Sequence, residues 1–325
     1  MLAQRAAFTE NFEKPIFLPP VKRMPTKAVS AAADLPRATY LHVPFCAHRC
    51  GYCNFAVIAG RDDLAEPLVA ALATEMSWLG QPRPVETAYI GGGTPTQLPL
   101  KLLATLCEKV LHWHPLAPNS EWTVEANPAD VDRQKTALLA AMGVTRISLG
   151  AQSFNRQKLV QLERDHRPED IAAAVDQIRA AGIQVALDLI FATPDETLPQ
   201  WQADLEAALA LEPEHISTYG LTYEKGTQFW NRLQRGNLQE LSDELQRSMY
   251  LTAIDRLESA GWEHYEVSNF ARPGHRSRHN ETYWDARAYF AAGPGAARYV
   301  AGVRETNHRS TTTYLKRVEQ GESPV

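Results

Sequence analysis

Three of the four cysteines in this 325-residue chain fall within eight positions: Cys46, Cys50 and Cys53, in HVPFCAHRCGYCNF (residues 42–55). Thiolates gathered so closely suit soft metals or redox chemistry. A four-iron cube is saturated by four cysteines. Three leave one iron open, and a bidentate amino acid such as the methionine end of S-adenosylmethionine can fill that corner. Spacing alone leaves two other readings open. One is zinc held by the three thiols with His42 or His48; the other is a redox pair, Cys50 and Cys53, with Cys46 surplus. The fourth cysteine, Cys107 in LLATLCEKVL, reads as a buried helix residue.

Groups that act together must be carried to one place. From residue 38, short β-branched runs (ATYLHV, ETAYI, EWTVEA, VTRISLG, IQVALDLIF, HISTYGL) alternate with longer segments whose apolar residues recur every three or four positions. Two of those segments end in Gly143 and Gly182, where glycine serves as a helix C-cap. Repeated strand–helix units predict parallel strands with right-handed crossovers. Six units fall short of the eight that close a full barrel. The expected fold is therefore α/β, an open, partial TIM-type (β/α) barrel of six units, with a doubly wound sheet as the alternative. Near residue 235 the pattern changes to a long helical segment and then to a stretch rich in aromatics, Arg, His and Gly. The expected organisation is a flexible leader over 1–36, a barrel core over 37–235 and an appended strand and loop region over 236–325.

In a parallel barrel the C-terminal ends of the strands open on one face, where active sites are built. The cysteines follow the first strand, GGGTPT (91–96) the second, and Glu125, Asn127 and Pro128 close the third. Gln152 follows the fourth, Asp188 lies near the end of the fifth, and Tyr219 ends the sixth. Six signals thus converge on one mouth. No Gly-Lys-Ser/Thr follows the glycine run, which disfavours a nucleotide P-loop. Hydrophobic residues at 44% and charged residues at 22% suit a large buried core. A net charge of −5 gives no general reason to bind nucleic acid or an anionic membrane. No apolar run approaches the roughly 18 residues of a membrane span, and the first 36 residues lack the apolar core of a secretory signal. The expectation is a cytoplasmic protein, whose clustered thiols are metal ligands or redox groups rather than disulfides.

The Cys-x3-Cys-x2-Cys spacing with Tyr52 before the last cysteine resembles the signature of the radical S-adenosylmethionine enzymes. The wider set YLHVPFCAHRCGYCNF, YIGGGTPT, VEANP, RISLGAQSF and HNETYW runs in order from about residue 38 to 300. It is similar to the family of oxygen-independent coproporphyrinogen III oxidase and the haem chaperones. The resemblance implies that Cys46, Cys50 and Cys53 hold a [4Fe–4S] cluster whose fourth iron is chelated by S-adenosylmethionine. It implies that Gly92, Gly93 and Thr94 form the turn against the methionine moiety. Tyr40, Glu125, Gln152, Arg164 and Asp188 match family contacts to the same ligand, with Arg164 suited to its carboxylate. An electron delivered to the sulfonium would release a 5′-deoxyadenosyl radical; whether this chain cleaves its ligand stays open.

Two positions separate the branches of that family. The oxidase branch carries a fourth cysteine two places after the third, where this chain has Phe55. HNETYW (279–284) matches the pattern associated with haem in the chaperone branch, which implies His279 as an axial ligand. Tyr283 and Trp284 would supply flat apolar surface, and Arg276 or Arg278 could pair with propionates. The resemblance therefore favours a chaperone that binds haem and passes it to an acceptor protein, with no catalytic residue assigned. The alternatives are oxidative decarboxylation of coproporphyrinogen III and a zinc-stabilised binding module. Three departures stand out: Ala297 in GPGAARY (293–299) replaces a usual histidine, FATPDET (191–197) lacks the family's glycine-containing run, and an extra C-terminal helical domain is not seen before Val325.

Overall fold

The computed structural model describes residues 35–325, so nearly all of the expected leader lies outside the described residues. Six parallel strands run in chain order: β1 (Ala38–Val43), β2 (Val85–Gly92), β3 (Leu116–Ala126), β4 (Arg146–Gln152), β5 (Gln184–Phe191) and β6 (His215–Gly220). The connections carry α1 (Ala65–Ser77), α2 (Leu100–Trp113), α3 (Arg133–Met142), α4 (Arg156–Gln161), α5 (Pro168–Ala180) and α6 (Leu198–Ala210). This is the partial TIM-type (β/α) barrel of six units. After β6 come α7 (Gln228–Gln234) and α8 (Asp243–Ser259), then β7 (Glu263–His264) and β8 (Asn269–Ala271). Strand β8 pairs antiparallel with β6, and β7 pairs with β8. Helix α9 (Arg278–Trp284) leads to β9 (Phe290–Ala292), which lies parallel to β1 at the opposite edge. The hairpin β10 (Ala297–Val300) and β11 (Val303–Thr306) and helix α10 (Thr311–Glu319) complete the chain. Residues 236–325 thus extend the sheet at both ends.

The barrel strands alternate in character because successive side chains point to opposite faces. Ala88 and Ile90, Trp122 and Val124, Ile147 and Leu149, and Val185 and Leu187 are fully buried in the layer shared with the helices. Each large apolar side chain there contributes about 1.5–3 kcal/mol of burial. Their neighbours on the other face are Tyr89, Thr123, Glu125, Arg146, Ser148, Asp188, His215, Ser217 and Tyr219, which line a cavity inside the barrel. Cys107 is fully buried on α2 and belongs to the core.

Two buried ionic nodes hold the loops around that interior. Lys158 on α4 reaches Glu196 at 2.5 Å and Asp204 at 3.0 Å. Asp204 also accepts from the Ser153 hydroxyl and the Phe154 amide, both at 2.7 Å, while Glu196 accepts from the Thr193 amide at 2.9 Å. The loop after β5, which lacks the glycine run, is therefore pinned through Glu196 to Lys158 of α4. The second node is Glu75 on α1, which accepts from the Gly293 amide (2.8 Å), Asn307 (2.7 Å) and the Tyr314 hydroxyl (2.7 Å). It ties the C-terminal region to the first helix.

Candidate functional site

The cysteine loop leaves β1 and is closed at its base by a short parallel pairing of Phe45–Cys46 with Ile58–Ala59. Inside it the Cys53 amide donates to the Cys50 carbonyl at 3.0 Å. Residue Glu163, which follows α4, anchors the loop from outside: one oxygen accepts the Gly51 amide at 2.8 Å and the other accepts Arg232 of α7 at 2.7 Å. Phe229 of α7 packs edge-on to Tyr52 at 6.0 Å. The three half-buried thiols line one rim of the cavity. Thr94 points its hydroxyl at Cys46 Sγ (3.9 Å), and Arg164 points Nη1 at Cys50 Sγ (3.5 Å). Burial pushes the Cys46 thiol up to about 12, against the partial relief of the Thr94 hydrogen bond.

The glycine turn after β2 exists because nothing larger fits. Gly92 has φ +108°, and a Cβ there would collide with the His42 imidazole; one on Gly93 would lie 2.5 Å from the Phe45 carbonyl oxygen. The turn is thereby pressed against the base of the cysteine loop, with Gly93 and Thr94 amides donating to Val43 and Phe45.

The cavity occupies about 680 Å³ and is lined by Cys46, Cys50, Cys53, Gly92, Gly93, Thr94, Glu125, Gln152, Arg164 and Asp188. Glu125 accepts from the Tyr89 hydroxyl at 2.9 Å and the Gly92 amide at 2.8 Å. Asp188 accepts from the Ser148 hydroxyl at 3.1 Å. Burial raises both carboxyls, Glu125 to about 7 and Asp188 to about 6, and the charge on Asp188 adds to the rise at Glu125. Arg164 spends Nη2 on the Gly150 carbonyl at 3.2 Å, while its buried Nε has no partner among the described residues. Gln152 holds a left-handed backbone, φ +61°, at an irregularity between β4 and β5.

Tyr40 pairs in register with Tyr89 and shares its interior face of the sheet, with the two rings 6.0 Å apart and the Tyr40 hydroxyl bonded to His42 Nδ1 at 3.0 Å. His279 is 1% exposed at the opposite, N-terminal mouth of the barrel. Its Nδ1 meets the Thr87 hydroxyl at 3.0 Å, its Nε2 meets the Tyr283 hydroxyl at 2.8 Å, and its ring stacks on Tyr89 at 5.1 Å. Burial lowers the imidazole to about 3, so it is neutral. Buried Glu121 gathers the first amides of α9, accepting from Arg278 and His279 at 3.1 Å each, and pairs with Arg146 at 3.2 Å. Helix α9 therefore plugs that mouth. On its outer side Tyr283 and Trp284 are exposed, Arg276 pairs with Glu263 at 2.7 Å, and Arg278 donates to the Asn119 carbonyl at 2.6 Å.

The donor set fits an iron–sulfur cluster with S-adenosylmethionine better than zinc. Among the described residues no three His, Cys, Asp or Glu side chains converge on a single metal ion. His42 spends both ring nitrogens, on Tyr40 and on the Ala56 carbonyl. The three thiols share one rim of the cavity, and four-iron clusters are held by cysteine thiolates. Facing them are Arg164, with a spare buried donor for a carboxylate, and two carboxyls for a cationic ligand. Sequence reasoning missed Glu163, Arg232, Tyr89 and Ser148, the serine bonded to Asp188. For Tyr89 and Ser148 the period-two alternation of β2 and β4 carried the signal; Glu163 and Arg232 act through contacts distant in sequence, which no local pattern marks.

Comparison with known proteins follows the same lines. Residues 40–208 match the radical SAM superfamily model. The haem chaperone HemW of Lactococcus lactis is 38% identical over 282 residues, covering 86% of this chain and 74% of the relative. HemW of Mycobacterium tuberculosis is 38% identical over 321 residues, covering 96% and 80%. Among solved structures, coproporphyrinogen III oxidase (HemN) from Escherichia coli superposes with a TM-score of 0.79 at 21% identity, covering 90% of this chain and 71% of that one. At that identity the likeness speaks for the fold alone. No helix among the described residues is long and apolar enough to cross a membrane.

Proposed function

Because the chain belongs to the radical SAM superfamily and, within it, to the family of the haem chaperone HemW, we propose that it carries haem rather than oxidising a porphyrin. It binds haem, a [4Fe–4S] cluster and S-adenosylmethionine, and hands haem to an acceptor protein in the cytoplasm. The observation that carries this reading is Phe55. It stands 62% exposed on the cysteine loop where the oxidase pattern needs a fourth thiol.

Cys46, Cys50 and Cys53 would hold the cluster, which when bound supplies an open coordination position and an electron. The chain's own groups do the rest. Arg164 offers Nε to a carboxylate, Glu125 and Asp188 face a cation, and the Gly92–Gly93 turn admits the ligand's backbone-like end. His279 would ligate haem iron as a neutral imidazole once its Nε2 is released by the Tyr283 hydroxyl, leaving Tyr283 and Trp284 to cover the porphyrin face.

The test uses cluster-loaded protein kept free of oxygen. His279→Ala should lower haem affinity at least about tenfold while iron and sulfide content stay unchanged, and neither protein should convert coproporphyrinogen III when supplied with reductant. Protoporphyrinogen formation would establish the oxidase instead.

A further inference from the structure

We propose that a second groove, between the cysteine loop and the N-terminus of α10, binds the carboxylate edge of the haem cargo; this rests on the haem-carrying reading above. The groove encloses about 310 Å³ and opens beside the main cavity, with which it shares Arg49, Phe55, Val57 and Arg309. A groove of that size takes one edge of a flat molecule and leaves the remainder to lie against the exposed Phe55 ring.

Its chemistry selects an anion. Among the described residues three arginines line it, and no carboxylate does. Arg61 is neutralised by Asp63 at 2.8 Å, but Arg49 is exposed with no ion-pair partner among the described residues. Arg309 is exposed and, among the described residues, engages only the Asn54 carbonyl. Helix α10 adds the positive end of its dipole. Its N-cap, Ser310, already accepts the Thr313 amide at 3.4 Å. Thr311, the next wall residue, is only 3% exposed, yet its hydroxyl has no partner among the described residues. A buried hydroxyl left without a partner is costly, and a carboxylate oxygen seated in the groove would supply the acceptor it lacks.

The apolar side of the groove, Phe55 with Val57, Ile58 and Leu64, matches the rest of a porphyrin, whose two propionates sit on one edge of a flat hydrophobic ring. Arginine suits such carboxylates because its planar fork meets them bidentately. The arrangement also answers a geometric difficulty. His279 is sealed on the inner side of α9 at the far mouth, whereas this groove is open in the same conformation. Haem can land here while α9 is still closed.

The experiment compares haem with haem dimethyl ester, which keeps the ring and loses both carboxylates. Each is titrated into the cluster-loaded chain and into its Arg49→Glu and Thr311→Val variants. The wild-type chain should bind haem at least about tenfold more tightly than the ester. Arg49→Glu should abolish that preference while leaving ester affinity within about twofold, and Thr311→Val should reduce the preference in part. Equal affinity of the wild-type chain for acid and ester would overturn the groove assignment, as would a preference that Arg49→Glu leaves intact. If the wild-type chain takes up neither compound, the haem-carrying reading fails and this one falls with it. If haem binds and depends on His279 but not on Arg49, the groove alone is wrong.

Discussion

Glu125 and Asp188 are carboxyls held in a barrel interior that disfavours their charge. Burial lifts them to about 7 and about 6, so between about pH 4 and pH 7 the folded chain keeps protons that the unfolded chain has released. More protons bound when folded means that stability falls as pH rises through that window. For cluster-free protein, the unfolding free energy should drop by on the order of 2 kcal/mol between pH 5 and pH 8. Glu125→Gln should flatten the drop, as urea titrations at the two pH values will show; an unchanged slope would mean that Glu125 is not the group responsible. At this scale the sequence was readable where a residue follows a strand end. The cysteines, Gly92, Gly93, Thr94, Glu125, Gln152, Arg164 and Asp188 share one cavity. Tyr40 shares the interior face with Tyr89; His279 was singled out by motif, and a motif does not say which mouth of a barrel a side chain occupies.

Among the elements, α4, α6 and the loop after β5 meet at Lys158. Removing its charge strands Glu196 and Asp204, 1% and 2% exposed, with no cation between them. Lys158→Met should therefore cost about 3–5 kcal/mol of stability, read from the urea midpoint. The triple change with Glu196→Gln and Asp204→Asn should recover most of it. Failure of the triple variant to recover would point to packing against Trp201, over which Lys158 lies at 5.3 Å. Helix α9 yields a kinetic expectation. Tyr283→Phe keeps the ring but frees His279 Nε2, so haem uptake followed by stopped-flow absorbance should be faster than in the unaltered chain; a slower rate would show that the hydroxyl helps haem rather than blocking it. The six strand–helix units were legible because each strand is long enough to show its pattern. Strands β7, β8 and β9, of two or three residues each, show none. The partner of β9 is β1, some 250 residues earlier, a pairing that only the folded chain reveals.

At the scale of the molecule, one barrel is built with two different ends. The C-terminal mouth gathers thiols, a glycine turn and an arginine with a spare donor; the N-terminal mouth is stoppered by a short helix whose buried histidine is already bonded on both sides. The Glu75 node joins the last helix to the first, so the region after residue 236 is part of the same body and not an ornament on it. The chain covers 74–80% of the length of the HemW relatives from Lactococcus and Mycobacterium, and its motifs lie within the shared part. The most direct measurement is an anaerobic haem titration of the cluster-loaded chain, with and without S-adenosylmethionine, followed through the Soret band. Saturable uptake of haem that His279→Ala weakens is the predicted result. A chain that holds its cluster and S-adenosylmethionine yet shows no saturable haem uptake would contradict the assignment as a haem carrier.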